Sequence, residues 1–424
     1  MKRTRLATIA AALLLPLALV ACGGGEDETS APAATTAEPE MTDTHSMGDT
    51  GSDDGGTTTT AAADLRVTLD RLLGEHAMLA MFATQKGFSG EKDFEQIAAA
   101  LDDNSVDLAD AIGSVYGDEA RAEFLDGELK WRAHIAAFVD YTKALATEDK
   151  AAQDKAVGNL MGYVESFGQF LAGATDLPSE AVRDSLTEHV TQLKTQLDLY
   201  AKGDYAGAYA TLREAYAHMY MTGDTLAGGI AAQNEDQFGA GVDSKATDLR
   251  VTLDRLLGEH AILAMTATQK GFSGGKDFEA IAGALDANSV ELADAIGSVY
   301  GADARKTFLD GDLMWRAHIG FFVDYTVGLA KKDKAMQDKA VGNLQGYQEA
   351  FSNFLADATG LPQDAVREAI TAHVTQLKGQ IDAYAAGDYD KAYELYREAY
   401  AHMFMTGDTL AGAIVEQSPE KFGE

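Results

Sequence analysis

The sequence predicts an all-α protein: two tandem antiparallel helical bundles, each of about six helices, behind a disordered tether. Two observations carry that prediction. The run Asp64-Leu-Arg-Val-Thr-Leu-Asp-Arg-Leu-Leu-Gly-Glu-His76 returns unchanged as Asp248 to His260, a period of 184 residues. Ala111 to Tyr116 likewise returns as Ala295 to Tyr300, and Met221 to Ala227 as Met405 to Ala411, so the chain holds a tandem domain duplication and not a short-repeat solenoid. Apolar residues then step by three or four throughout each copy, as in Leu65, Leu69, Leu72, His76 and Leu79, with no run of period two.

The first element is an export signal. Residues 1–21 run from Lys2, Arg3 and Arg5 through an apolar stretch, Leu6 to Val20, that is too short for a membrane span and is broken by Pro16. Leu19-Val20-Ala21-Cys22 resembles the lipobox of bacterial lipoproteins, and the single Cys of the chain stands where that motif needs it. The resemblance implies acylation at Cys22 and a lipid anchor holding the protein to the cell membrane, on its extracytoplasmic face. Residues 22–63 follow as a tether: from Gly23 to Ala63 there is no aromatic residue, no Leu, Ile or Val, and no Lys or Arg. Such a stretch has nothing to bury against the entropy of ordering, and as a coil it spans on the order of 35 Å.

Copy 1 is expected over 64–240 and copy 2 over 248–424, each an independent helical domain, with the small, polar stretch 239–247 as the joint. In copy 1 the periodicity predicts helices near 64–86, 93–116, 119–147, 150–174, 179–202 and 204–232. Gly87, Gly117 and Gly203 mark stops, and the Leu-Pro steps at Pro178 and Pro362 punctuate equivalent boundaries.

Composition narrows the function. With 34 Lys and Arg against 67 Asp and Glu, the formal charge is −33, which excludes a phosphate-backbone binder and so a nucleic-acid partner. One Cys excludes an internal disulfide framework and any Cys-based metal site. Nucleophile-elbow, His-Glu-x-x-His and phosphate-loop signatures are missing, so no enzyme class is indicated.

The histidines remain. Beyond His45 in the tether there are four per copy, His76, His134, His189 and His218, then His260, His318, His373 and His402. Each lies on or beside the apolar stripe of a different helix, so the four could converge as metal ligands do in bundle cores. Glu214, His218 and Met221 share one helical face, repeated by Glu398, His402 and Met405. Imidazole with thioether suits copper, and imidazole with carboxylate suits zinc, iron or manganese. Calcium wants oxygen ligands, the Glu-x-x-His pairs of a di-iron site are lacking, and haem is disfavoured. The alternative is that these are core histidines bonded to a carbonyl or to a carboxylate such as Glu75. Trp131-Arg132 and Trp315-Arg316 could line a pocket, with packing the simpler role.

Taken together, Glu75-His76, Asn104 to Ile112 with Tyr116-Gly117, His134-Ile135, His189-Val190, and His218 with Met221 and Asp224 resemble a family of exported helical proteins of Gram-positive bacteria. The resemblance implies the helical fold and points to the histidines, and it brings no activity with it. The expectation is therefore a non-enzymatic, extracytoplasmic metal-binding lipoprotein with one site per copy, copper or zinc first. Its competitor is a structural or interaction module whose acidic bundles contact an envelope protein partner.

Overall fold

A computed structural model describes residues 57–239 and 242–423. The signal segment, Cys22, His45 and most of the tether lie outside the described residues. Copy 1 folds as α1 (Ala61–Ser89), α2 (Phe94–Tyr116), α3 (Asp118–Asp126), α4 (Trp131–Ala146), α5 (Lys150–Thr175), α6 (Ser179–Lys202), α7 (Tyr205–Gln233) and the single turn α8 (Glu235–Phe238). Copy 2 repeats the series as α9 (Lys245–Ser273), α10 (Phe278–Tyr300), α11 (Ala302–Asp310), α12 (Trp315–Lys331), α13 (Lys334–Thr359), α14 (Gln363–Ala386), α15 (Tyr389–Gln417) and α16 (Pro419–Phe422). All regular structure among the described residues is helical, and no helix there is long and apolar enough to cross a membrane.

Local chemistry sets the ends. The Thr60 hydroxyl accepts the Ala63 N–H at 3.0 Å and starts α1 three residues before the helix start expected at 64, and Ser244 caps α9 through Thr247 in the same way. The helix expected over 119–147 is two helices. Gly127 ends α3 where a Cβ would come 2.5 Å from the Glu123 carbonyl, and Leu129 takes a left-handed φ of 54° before α4 begins. Gly311 and Leu313 repeat the break. Its consequence is positional: the chain re-enters a helix at Trp131, whose indole N–H donates to the Ser105 hydroxyl at 3.1 Å, and His134 follows one turn later.

α1 is buried along most of its length because it serves two bundles. One side packs on α2, α4, α6 and α7 of its own copy and another on α9 of the other copy, while α7 meets α10 and α15 meets α2. Independent domains were the expectation; the packing is of one body with a continuous apolar core drawn from both copies. The Tyr216 and Tyr400 hydroxyls, 184 residues apart in sequence, meet at 3.2 Å and so mark the pseudo-twofold axis. Gly74 and Gly258 make room there: a Cβ on either would fall within 2.9 Å of an aromatic ring.

Buried charge crosses the same boundary. Arg397 of α15 grips Glu75 of α1 through two N–H groups at 2.9 and 3.1 Å, and Arg213 of α7 grips Glu259 of α9 at 2.8 and 3.1 Å. Lys86 pairs with Asp93 at 2.8 Å, and Asp93 accepts the hydroxyl of Tyr393 from the other copy at 2.8 Å. Glu91 bridges Lys86 and Lys270 at 3.0 and 2.7 Å; the two lysines hold its carboxyl below the usual range against the effect of burial. Each copy thus supplies counter-charges the other needs, and an isolated copy would leave them unpaired.

Candidate metal centre

His76 on α1, His134 on α4 and His189 on α6 point into the interior of copy 1, at most 3% exposed. One ring nitrogen from each lies within 4.8 Å of the others. His260, His318 and His373 form the same triad in copy 2. Ring centroids are 5.3, 5.7 and 6.2 Å apart in the first triad and 5.4, 5.8 and 6.2 Å in the second.

The walls are aromatic. Trp131 lies 4.5 Å from His76, centroid to centroid, and Tyr163 stacks on His134 at 4.4 Å; Trp315 and Tyr347 do the same in copy 2 at 4.5 Å each. In such surroundings the charged imidazole is disfavoured. Burial, then repulsion from the other two rings, pushes His76 well below its ordinary value. Burial takes His134 down to about 3, opposed by the Trp131 backbone carbonyl, and takes His189 down to about 3 with help from His134 and His218. The Trp131 carbonyl opposes that shift without completing a hydrogen bond, so the His134 Nδ1 stays unpartnered. All six rings are therefore neutral donors at neutral pH, the form a metal requires.

Their nitrogens are underused. Both ring nitrogens of His189, His260, His318 and His373 lack a protein hydrogen-bond partner, as does Nδ1 of His76. A core histidine held only for packing would bond a carbonyl or carboxylate. Glu75, the partner that reading needed, is instead taken by Asn104 at 2.9 Å and by Arg397. The one contact inside the first triad is His76 Nε2 to His134 Nε2 at 3.3 Å. A metal bound to two imidazoles at about 2.0–2.1 Å in tetrahedral geometry separates them by about 3.3–3.4 Å, so this pair already has the spacing of two ligands. Among the described residues no carboxylate joins the set, and three ligands leave a fourth position open.

The remaining residues expected at the site stand elsewhere. His218 is half-buried with Nε2 3.0 Å from the Ser185 carbonyl oxygen, and His402 bonds the Ala369 carbonyl oxygen at the same distance. Glu214 and Glu398 are exposed, and Met221 and Met405 are 59% and 60% exposed. These residues do share one helical face, as the spacing said, but it is the outer face of α7 and α15. Arg132 pairs with Asp102 and Asp126 at the surface, whereas its neighbour Trp131 is a wall of the site. Tyr163 and Tyr347, which the sequence reading did not single out, are the other wall; their only sequence signal was helical phase with Leu160 and Phe167, or with Leu344 and Phe351.

Fold and site define a class: an all-α tandem duplication in which each copy buries three histidines that could hold a metal. Comparison with protein-family profiles, with curated proteins and with solved structures finds no match.

Proposed function

We propose that this protein is a non-enzymatic metal-binding lipoprotein, anchored through Cys22 on the extracytoplasmic face, that sequesters or delivers one transition-metal ion per copy. The observation that supports this best is the convergence of three buried, neutral imidazoles with unpartnered nitrogens, two of them already at ligand spacing. Copper and zinc both accept such donors, and the lack of carboxylate speaks against manganese and iron. Charge favours copper(I) over zinc: burying an ion costs in proportion to the square of its charge, and the triad brings no negative group to offset a dication.

A second reading has its own support. The close stacking of His134 on Tyr163 and of His76 beside Trp131 is also how imidazoles fill an aromatic core, and an envelope-facing interaction module needs nothing more of them. Metal analysis separates the two. The chelator-stripped chain, dialysed with copper(I) under reducing conditions or with zinc, should retain two ions. His134→Ala should retain one and His134→Ala with His318→Ala none, while His218→Ala keeps both. An unaltered chain that takes up no ion stoichiometrically, or uptake indifferent to His134 and His318, overturns the metal reading and leaves the packing one.

A further inference from the structure

Copy 2 holds a cavity beside its triad. In copy 2 a space of about 480 Å³ opens between α9, α10 and α12, a size that suits a small organic molecule. Phe278, Leu285, Ile319, Phe322, Val323 and Val327 make its walls apolar, and the triad member His318 forms part of the lining. The charged groups around it are already neutralised. Lys270 is paired with Glu91 at 2.7 Å and Asp277 at 3.2 Å, and Arg316 with Asp286 at 2.8 Å and Asp310 at 2.7 Å. The hydroxyls of Thr268 and Thr326 donate to the carbonyls of Met265 and Phe322. Among the described lining residues no free cation remains to hold an anion. A polar or charged occupant would lose its hydration and gain no partner beyond the His318 edge.

Copy 1 carries the same residue as copy 2 at every lining position but two. Glu91 stands where copy 2 has Gly275, and Lys143 where copy 2 has Val327. The first change removes a carboxylate and opens space beside the cavity; the second replaces an ammonium with an apolar wall. Both positions line the cavity and both exchange a charged side chain for an uncharged residue, in a pair of copies whose other lining residues are unchanged.

We propose that copy 2, and not copy 1, binds a neutral, largely apolar small molecule in this cavity, against the edge of its histidine triad. The proposal needs His318 as a wall and not as a metal ligand, so it stands apart from the metal reading. The test is titration of the full chain, stripped of metal, with N-phenyl-1-naphthylamine, a neutral fluorophore that brightens in apolar surroundings. The expected result is a saturable rise with one site per chain. Gly275→Glu with Val327→Lys gives copy 2 the residues that copy 1 already folds with, and should weaken binding at least tenfold. Val323→Asp is a second variant, at a side chain already 37% exposed and so tolerant of charge, and should weaken it as well. Circular dichroism confirms that each variant keeps its helices. No saturable binding, two sites per chain, or unchanged affinity in both variants overturns the proposal.

Discussion

Removing the Arg397 guanidinium tests the claim that the copies form one body. Arg397→Met keeps much of the side chain's apolar stem and strips the bidentate grip from Glu75, whose side chain is 2% exposed. Asn104 remains as its one donor, at 2.9 Å. Breaking a buried pair from one side costs about 3–5 kcal/mol, because the remaining charge is stranded. The expected loss at pH 7 is therefore about 3 kcal/mol, discounted because the Arg397 side chain is 22% exposed and water can partly replace it. Glu75→Gln with Arg397→Met should recover most of that loss, since Gln keeps an acceptor for Asn104. Urea unfolding followed by circular dichroism reads all three proteins. A deficit below 1 kcal/mol at pH 7 would refute the reasoning.

Fragments 64–240 and 248–424 should each be poorly folded alone, because Glu75, Glu91 and Arg213 have their partners Arg397, Lys270 and Glu259 in the other fragment. Circular dichroism and the sharpness of thermal melting check this, and two cooperative fragments would show that the shared core is dispensable. The metal-free chain should also be acid-sensitive. His134, His189, His318 and His373 lie at about 3, and His76 and His260 well below their ordinary value, so the unfolded chain takes up protons below about pH 6.5 that the folded chain refuses. Stability is then lost as pH falls through that window, at about 1.4 kcal/mol per pH unit for each ring. Asp70 and Asp254, raised by burial and by Asp224 or Asp408, act with the opposite sign but are two against six. Melting temperature measured with chelator at pH 7.5, 6.5 and 5.5 should fall steeply over the last step, and a flat profile would count against neutral buried rings.

Helices and repeat were legible because their signals are local or self-repeating. The break at Gly127 was not, since Phe124, Leu125, Trp131 and His134 keep helical phase across it and periodicity cannot register a change of direction. Three of the four histidines per copy are buried on the stripes that the periodicity marks. His218 is half-buried, and the sequence carries that difference: the buried stripe of α7 runs Leu212, Ala215, Tyr216, Met219, Tyr220, and Glu214, His218 and Met221 fall on the stripe beside it. The two bundles were each read as self-sufficient because near-identical copies show the same apolar stripes whether they face each other or solvent. A contact such as Arg397 with Glu75, 322 residues apart, leaves no trace in spacing.

That contact matters for the site because Glu75 and His76 are neighbours on α1, as are Glu259 and His260 on α9. The first of each pair faces the other copy's arginine and the second faces its own triad, so the turn that presents a candidate ligand is fixed from outside its own bundle. Duplication has made each triad depend on a charge supplied by its twin. Such an interface holds both copies to nearly the same backbone, since a shift in one would strand a buried carboxylate in the other. Divergence is then confined to positions away from these grips, and Val327 is one of them. The lining of the space beside the histidines can change in one copy while both keep the same three-ring geometry.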